Sequence, residues 1–200
     1  DALVNIDLEK RTLKEHPKSL KIIRIGTSGS LQSNIPVDSF VISTHALDLN
    51  GMLHFYKIDG ITNPLLEEAF INHTQWSSNK AKPIVIKNSN KLEKLFESKQ
   101  TFKGMTATKG GFYGPQGRVL RLAIEDPYLN NKMDSFNYNE IRISNLEMET
   151  SAIYGLSKLL GHQALSLNAI IANRANGTFS KNPDMVVEKL IKYTLDKLVE

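Results

Sequence analysis

Residues 165–172, Leu-Ser-Leu-Asn-Ala-Ile-Ile-Ala, form an apolar run of strand length that ends at Asn173-Arg174. Such a run fits a strand buried on both faces, and strands of that kind belong to sheets covered by helices. The rest of the pattern agrees. Residues 20–25 and 39–44 read as β-branched strands, and residues 102–108 as a third. Helical segments lie between and after them. Residues 64–71 have Asn63 as N-cap and Pro64 in the first turn; residues 147–160 place Ala152, Ile153, Leu156, Leu159 and Leu160 at helical spacing before Gly161. A terminal helix starts at Asn182-Pro183-Asp184, with Val187, Leu190, Ile191, Thr194, Leu195 and Leu198 as its apolar stripe. Strands alternating with helices predict an α/β fold with a parallel or mixed sheet.

Composition narrows the function classes. With 200 residues, 40% apolar and 23% charged, the chain reads as one globular domain. No apolar run approaches the roughly 18 to 20 residues of a spanning helix, and Asp1-Ala2-Leu3-Val4 lacks the basic flank of a signal peptide. A cytoplasmic protein with no membrane partner is expected. Zero cysteines exclude disulfides, thiolate metal sites and a cysteine nucleophile. His16, His45, His54, His73 and His162 show no ligand spacing, so no metal is expected. The net charge of +4 is spread over dispersed lysines, without a basic run interleaved with aromatics, which argues against a nucleic-acid partner. Residues 1–9 read as the end of a helix rather than the start of a domain, so the chain is expected to be a fragment.

Ligands of α/β sheets gather where strands end, and four segments there carry chemistry. Arg24-Ile25-Gly26-Thr27-Ser28-Gly29 reads as a turn after a strand, able to aim backbone N–H groups, hydroxyls and a guanidinium at an anion. Phe112-Tyr113-Gly114-Pro115-Gln116-Gly117-Arg118 sets an aromatic face, an amide and a guanidinium within seven residues, which suits a planar heterocycle. In Glu147-Met148-Glu149, Ser144 and Glu147 have capping-box spacing, which marks Glu147 as structural, while Glu149 is a suitable acceptor for two vicinal sugar hydroxyls. Asn173-Arg174 stands where the buried strand leaves the sheet. Each segment alone reads equally as a structural turn, a helix start or a surface arginine.

Together, and in this order, the four segments resemble the nucleoside phosphorylases of the uridine phosphorylase type. The resemblance implies a three-layer α/β/α fold with a central mixed sheet flanked by helices, and reversible phosphorolysis of uridine, with deoxyuridine or thymidine as further candidates, in pyrimidine salvage. It implies a phosphate site of Arg24, Gly26 and Thr27 and a ribose site of Thr27, Met148 and Glu149. It assigns Phe112, Gln116, Arg118 and Arg174 to the base, and Arg118, Glu149 and Arg24 to catalysis. An arginine stands at position 174 where purine-specific relatives carry an acid, which favours a pyrimidine.

Further implications are no cofactor beyond inorganic phosphate as co-substrate, and a homo-oligomer built from dimers that share active sites. The resembling family also has an N-terminal strand and a phosphate loop, neither of which is in these 200 residues. Thr108-Lys109-Gly110-Gly111 departs from the family's hydroxyl and acidic residues before the aromatic pair. Three other readings stay open at this stage: a purine phosphorylase, a nucleosidase on the same fold, and a nucleoside-binding protein without turnover.

Overall fold

The computed structural model describes residues 1–199. It opens with α1 (Ala2–Asn5), one turn of helix, and a small hairpin of β1 (Ile6–Asp7) with β2 (Thr12–Leu13). The main body follows as β3 (Lys21–Ser30), β4 (Phe40–Asp48), α2 (Pro64–Thr74), β5 (Ile84–Lys87), α3 (Asn90–Phe96) and β6 (Thr101–Thr108). It continues through α4 (Leu129–Ser135), β7 (Asn137–Tyr138), β8 (Ile141–Glu147), α5 (Thr150–Leu159), β9 (Gln163–Asn173), β10 (Thr178–Phe179) and α6 (Pro183–Val199). This is the expected α/β class, with a central mixed sheet flanked by helices. Among the described residues no helix is long and apolar enough to cross a membrane.

The sheet runs β10-β9-β3-β8-β6-β4-β5, with β7 added to β8. β3 and β9 are parallel to each other; β8, β6 and β4 form a second parallel group; and the two groups meet antiparallel at β3–β8. The ladder also closes on itself, because Phe40–Ile42 of β4 pair antiparallel with Leu167–Ala169 of β9. Strand β9 is therefore hydrogen-bonded to both β3 and β4, and β3, β8, β6, β4 and β9 make a continuous ring. Such closure leaves each of the five ring strands paired on both sides, with short strands such as β5 and β10 as the remaining edges.

Outside the ring the helices bury apolar faces. Leu165, Leu167 and Ala169 of β9 pack with Leu92 and Phe96 of α3 and with Val186 and Leu190 of α6. Leu47, Val85, Met105 and Ile143 pack against Leu66 and Phe70 of α2 and Met133 of α4. Asn63 caps α2 as the sequence suggested, its Oδ1 accepting from Leu66 N at 3.2 Å.

The ring's other side chains form a polar belt. Asn168 Nδ2 (β9) donates to Ser43 Oγ (β4) at 3.0 Å, Ser43 is 2.5 Å from Thr106 Oγ1 (β6), Thr106 donates to Asn145 Oδ1 (β8) at 2.9 Å, and Asn145 Nδ2 donates to Ser28 Oγ (β3) at 2.9 Å. Every one of these side chains is buried. In a low-dielectric interior a satisfied network of this kind rigidifies its strands, whereas a broken one is costly.

Tyr154 ties α5 to the ring. Its hydroxyl donates to Ser43 O at 2.6 Å and accepts from Ser166 N at 2.8 Å, and burial pushes the phenol far above its usual titration range. Tyr154→Phe leaves the Ser166 amide without its partner and should cost about 1–3 kcal/mol, read as a lower urea midpoint with unchanged m-value.

Three expectations change. Residues 24–29 are not a turn but lie inside β3, which runs on to Ser30. Glu147 does not open the helix but ends β8, and Ser144 does not cap it: Ser144 Oγ donates to Met105 O at 3.1 Å across the sheet. The stripe of α6 is rotated, with Val186, Leu190 and Thr194 buried while Ile191, Leu195 and Leu198 are exposed. Tyr193 explains the rotation, since its ring packs on Phe40 at 5.8 Å and its hydroxyl donates to Phe96 O at 2.6 Å.

Candidate active site

β3 carries Arg24 beside α5. Strand alternation puts Arg24 and Gly26 on one face, and the guanidinium lies across Gly26, where an added Cβ would stand 2.6 Å from Cζ. Glycine at this position leaves room for the guanidinium, which an added Cβ would push aside, and is not there for a turn. The guanidinium donates through Nη1 to Asn168 Oδ1 at 2.9 Å and through Nη2 to Glu149 Oε2 at 2.5 Å, with Glu147 Oε2 at 3.3 Å.

The two carboxylates differ in exposure and role. Glu147's side chain is 1% exposed. It accepts from Thr108 Oγ1 at 2.6 Å and from the backbone N–H groups of Glu149 and Thr150 at 2.8 Å each. It thereby satisfies orphan amides at the start of α5 and favours the positive end of that helix. Its structural role agrees with the sequence reading, although it is reached from the end of a strand. Glu149's side chain is 55% exposed, and its remaining oxygen is free to accept. Met148 is exposed beside it. Thr27 is exposed one residue past Gly26, and its hydroxyl makes no hydrogen bond among the described residues.

A second group assembles around Gln116. Residues Gly114–Gln116 make a 3-10 turn closed by Gly117 at φ +77°, a conformation that glycine adopts without penalty. Gln116 is buried, and its Oε1 accepts from Arg118 Nη1 at 2.8 Å and from Arg174 Nη2 at 3.0 Å. Its backbone carbonyl accepts from Arg174 Nη1 and Asn130 Nδ2, each at 3.1 Å. Arg118 also donates to Phe112 O and stacks over the Phe112 ring, 3.7 Å from its centroid. Burial and the adjacent Arg118 pull Arg174 down to about 10, which leaves it cationic at neutral pH. Asn173 is an anchor, its Nδ2 donating to Gln32 O and Ile35 O.

β3 joins the two groups. Arg24 sits in mid-strand, while Arg174 N donates to Ser30 O at the strand's end. Five to six residues of strand separate them, or about 17–20 Å of backbone rise.

The sequence reading missed the residues that hold Arg24. Ser166 and Asn168 lie within the apolar 165–172 run, and polar residues recurring two apart in a buried strand were the available signal. Lys109, buried at the end of β6 with an unpartnered Nζ, stood out in the sequence only as a departure from a pattern. Among the described residues no cluster of His, Asp or Glu has the makings of a metal site.

The chain is similar to known proteins over most of its length. The family described as the phosphorylase superfamily matches residues 4–199. The uridine phosphorylase of Thermococcus kodakarensis is 26% identical over 165 residues, covering 80% of this chain and 50% of that protein. The Haemophilus influenzae uridine phosphorylase is 26% identical over 177 residues, or 88% of this chain and 61% of the relative. The chain thus spans only about half to three-fifths of these relatives' length. Among solved structures, a Trypanosoma brucei nucleoside phosphorylase described as showing uridine phosphorylase activity superposes with a TM-score of 0.83 at 23% identity, over 99% of this chain and 73% of that one. The apo uridine phosphorylase of Schistosoma mansoni gives 0.60 at 22%, over 91% and 61%. On the near-complete family match, the chain belongs to the phosphorylase superfamily.

Proposed function

We propose that this chain forms the nucleoside-handling part of a uridine phosphorylase, a pentosyltransferase that converts uridine and inorganic phosphate to uracil and ribose 1-phosphate. The observation that carries the reading is the Gln116 amide held between two guanidinium groups. With Oε1 already accepting twice, the amide's free capacity is its two Nε2 donors, which suit a base carbonyl. Binding then exchanges one arginine bond on Oε1 for the ring N–H of uracil, and the released guanidinium of Arg118 turns to the second carbonyl. Neither arginine can protonate a purine ring nitrogen as a carboxylic acid would.

The chemistry follows from charge. Cleavage of the glycosidic bond leaves negative charge on uracil and positive charge on the ribose. Arg118, Arg174 and the Gln116 amide face the developing base anion, and preorganised donors of this kind often supply the largest catalytic contribution. Glu149 accepts the ribose hydroxyls with Met148 against the sugar face. Arg24 and the Thr27 hydroxyl hold phosphate near the anomeric carbon, and that anion stabilises the cationic sugar. No protein nucleophile and no cofactor is needed. In this reading further phosphate contacts come from residues beyond these 200, as the relatives' greater length allows. The working unit is a dimer or an assembly of dimers, and the setting is cytoplasmic pyrimidine salvage.

The test is uracil release from uridine by the full-length protein, with and without phosphate and with inosine as comparison. Phosphate-dependent release from uridine alone supports the reading. Release without phosphate would replace it with a nucleosidase, preference for inosine with a purine enzyme, and binding without turnover with a carrier.

Gly26→Ala offers a local check. The added methyl displaces the Arg24 guanidinium from Asn168, and losing a charge-assisted hydrogen bond is worth about 1.5–3 kcal/mol. The KM for phosphate should rise by roughly 10- to 100-fold on the 1.4 kcal/mol-per-decade scale, with KM for uridine changing less. An unchanged phosphate KM would remove Arg24 from the anion site.

A further inference from the structure

A cavity of about 1100 Å3 lies between residues 118–126 and the start of α4. It shares Arg118 with the base group but is lined by none of Arg24, Thr27, Glu149, Gln116 and Arg174. Leu49, Trp76, Leu120, Leu122 and Ile124 supply apolar walls. Ligand sites of drug-sized molecules are concave, mostly apolar spaces of roughly 300–1,000 Å3 with a few oriented polar groups, and this one fits that description.

The polar groups are mainly cationic. Lys80, Lys109, Arg118 and Arg121 line the cavity against Glu125 and Asp126, and Asp126 is engaged by Lys132 at 2.9 Å. Lys109 is 3% exposed and its Nζ has no hydrogen-bond partner among the described residues. Burial, with Lys80 and Arg174 adding repulsion against the weaker pull of Asp126, pushes the amine down to about 7. A buried ammonium without a counter-charge is costly, and an anion brought to it out of water offsets that cost. Lys80 Nζ lies 5.0 Å over the Trp76 ring, so a second cation stands at the same wall.

We propose that this cavity is a ligand site separate from the nucleoside site, taking a carboxylate with a hydrocarbon body: the carboxylate on Lys109 and Lys80, the hydrocarbon against Trp76, Leu122 and Ile124. The inference does not depend on the phosphorolysis reading: apart from Arg118 the lining residues are not among those assigned to uridine, and neither Trp76, which reports binding, nor Lys109, which is varied, belongs to that set.

Trp76 is the chain's one tryptophan and reports directly on the cavity. The experiment titrates decanoate, with decanol as the uncharged control, into the full-length protein, following tryptophan fluorescence and calorimetric heat. Decanoate is expected to saturate below millimolar concentration and to bind at least tenfold more tightly than decanol. Lys109→Met should remove at least tenfold of the decanoate affinity and leave decanol binding unchanged. Decanoate affinity should also weaken as pH rises above about 7, because Lys109 is then neutral. Equal affinity for acid and alcohol would overturn the proposal, as would full decanoate binding by the variant. So would a Trp76 signal that follows protein concentration alone, since a second copy would then be filling the space.

Discussion

Glu149→Ala is expected to lower kcat/KM for uridine by about 100- to 1000-fold, the range typical for removal of one preorganised group in a catalytic site. Glu149 lies at the mouth of α5 with a half-exposed carboxylate, one oxygen on Arg24 and the other free. Under the proposed function the ribose hydroxyls lose their acceptor in the variant, while Arg24 loses a partner that otherwise neutralises it. The two effects have opposite signs on the two substrates. KM for uridine should rise, and KM for phosphate should stay level or fall because the guanidinium is released. Deoxyuridine, which has one hydroxyl fewer, should suffer a smaller relative loss than uridine. Steady-state kinetics with both nucleosides at varied phosphate measure all three quantities. Wild-type rates, or equal losses on the two nucleosides, would take Glu149 out of the ribose site.

Glu147→Ala should be the most destabilising of these changes, by about 3–5 kcal/mol, the cost of breaking a buried charge pair by removing one partner. The carboxylate serves the Thr108 hydroxyl, two amides at the start of α5, and Arg24. Truncation leaves the two amides without their acceptor and takes one partner each from the Thr108 hydroxyl and Arg24. For a chain of this size each kcal/mol moves Tm by roughly 2–4 °C, so a fall of about 6–20 °C is expected in a thermal melt. Glu147→Gln keeps one acceptor oxygen and should lose less. A melt within a few degrees of wild type for Glu147→Ala would mean that the α5 start is held by other contacts.

The two glutamates show why part of the site could be read from sequence and part could not. Glu-Met-Glu before a helical pattern marked the place, but the capping-box spacing that marked Glu147 as structural named the wrong partner, since Ser144 bonds Met105 O and Glu147 serves the α5 amides from the end of a strand. Glu149 is half-exposed and faces a ligand in the proposed reading. The element boundary was not legible, because strand β8 has only seven residues and its last one supplies the bonds that start α5. The same limit applies to residues 24–29. Two glycines next to hydroxyls have the composition of a turn, yet Gly26 is small because an arginine two residues earlier folds over it. Strands β5 and β8 and helices α3 and α4 were short enough to pass unnoticed between stronger signals.

Hydrophobic periodicity and capping chemistry, both local properties of the chain, determined the α/β class, the long buried strand β9 and the capped helix α2, and the motifs named the residues that the proposed function assigns to a nucleoside. Tertiary structure decided what those residues touch. Closure of the ring by β4 and β9 brings Asn168 to Arg24 and builds the polar belt through Ser43, Thr106, Asn145 and Ser28. The packing of Arg118 and Arg174 on one amide oxygen and the burial of Lys109 beside a cavity arise in the same way. These contacts join residues from about forty to about 145 positions apart, apart from the nearby Arg118–Gln116 pair. Hydrogen bonding and desolvation at such separations depend on where strands lie in space, and local pattern carries no record of that.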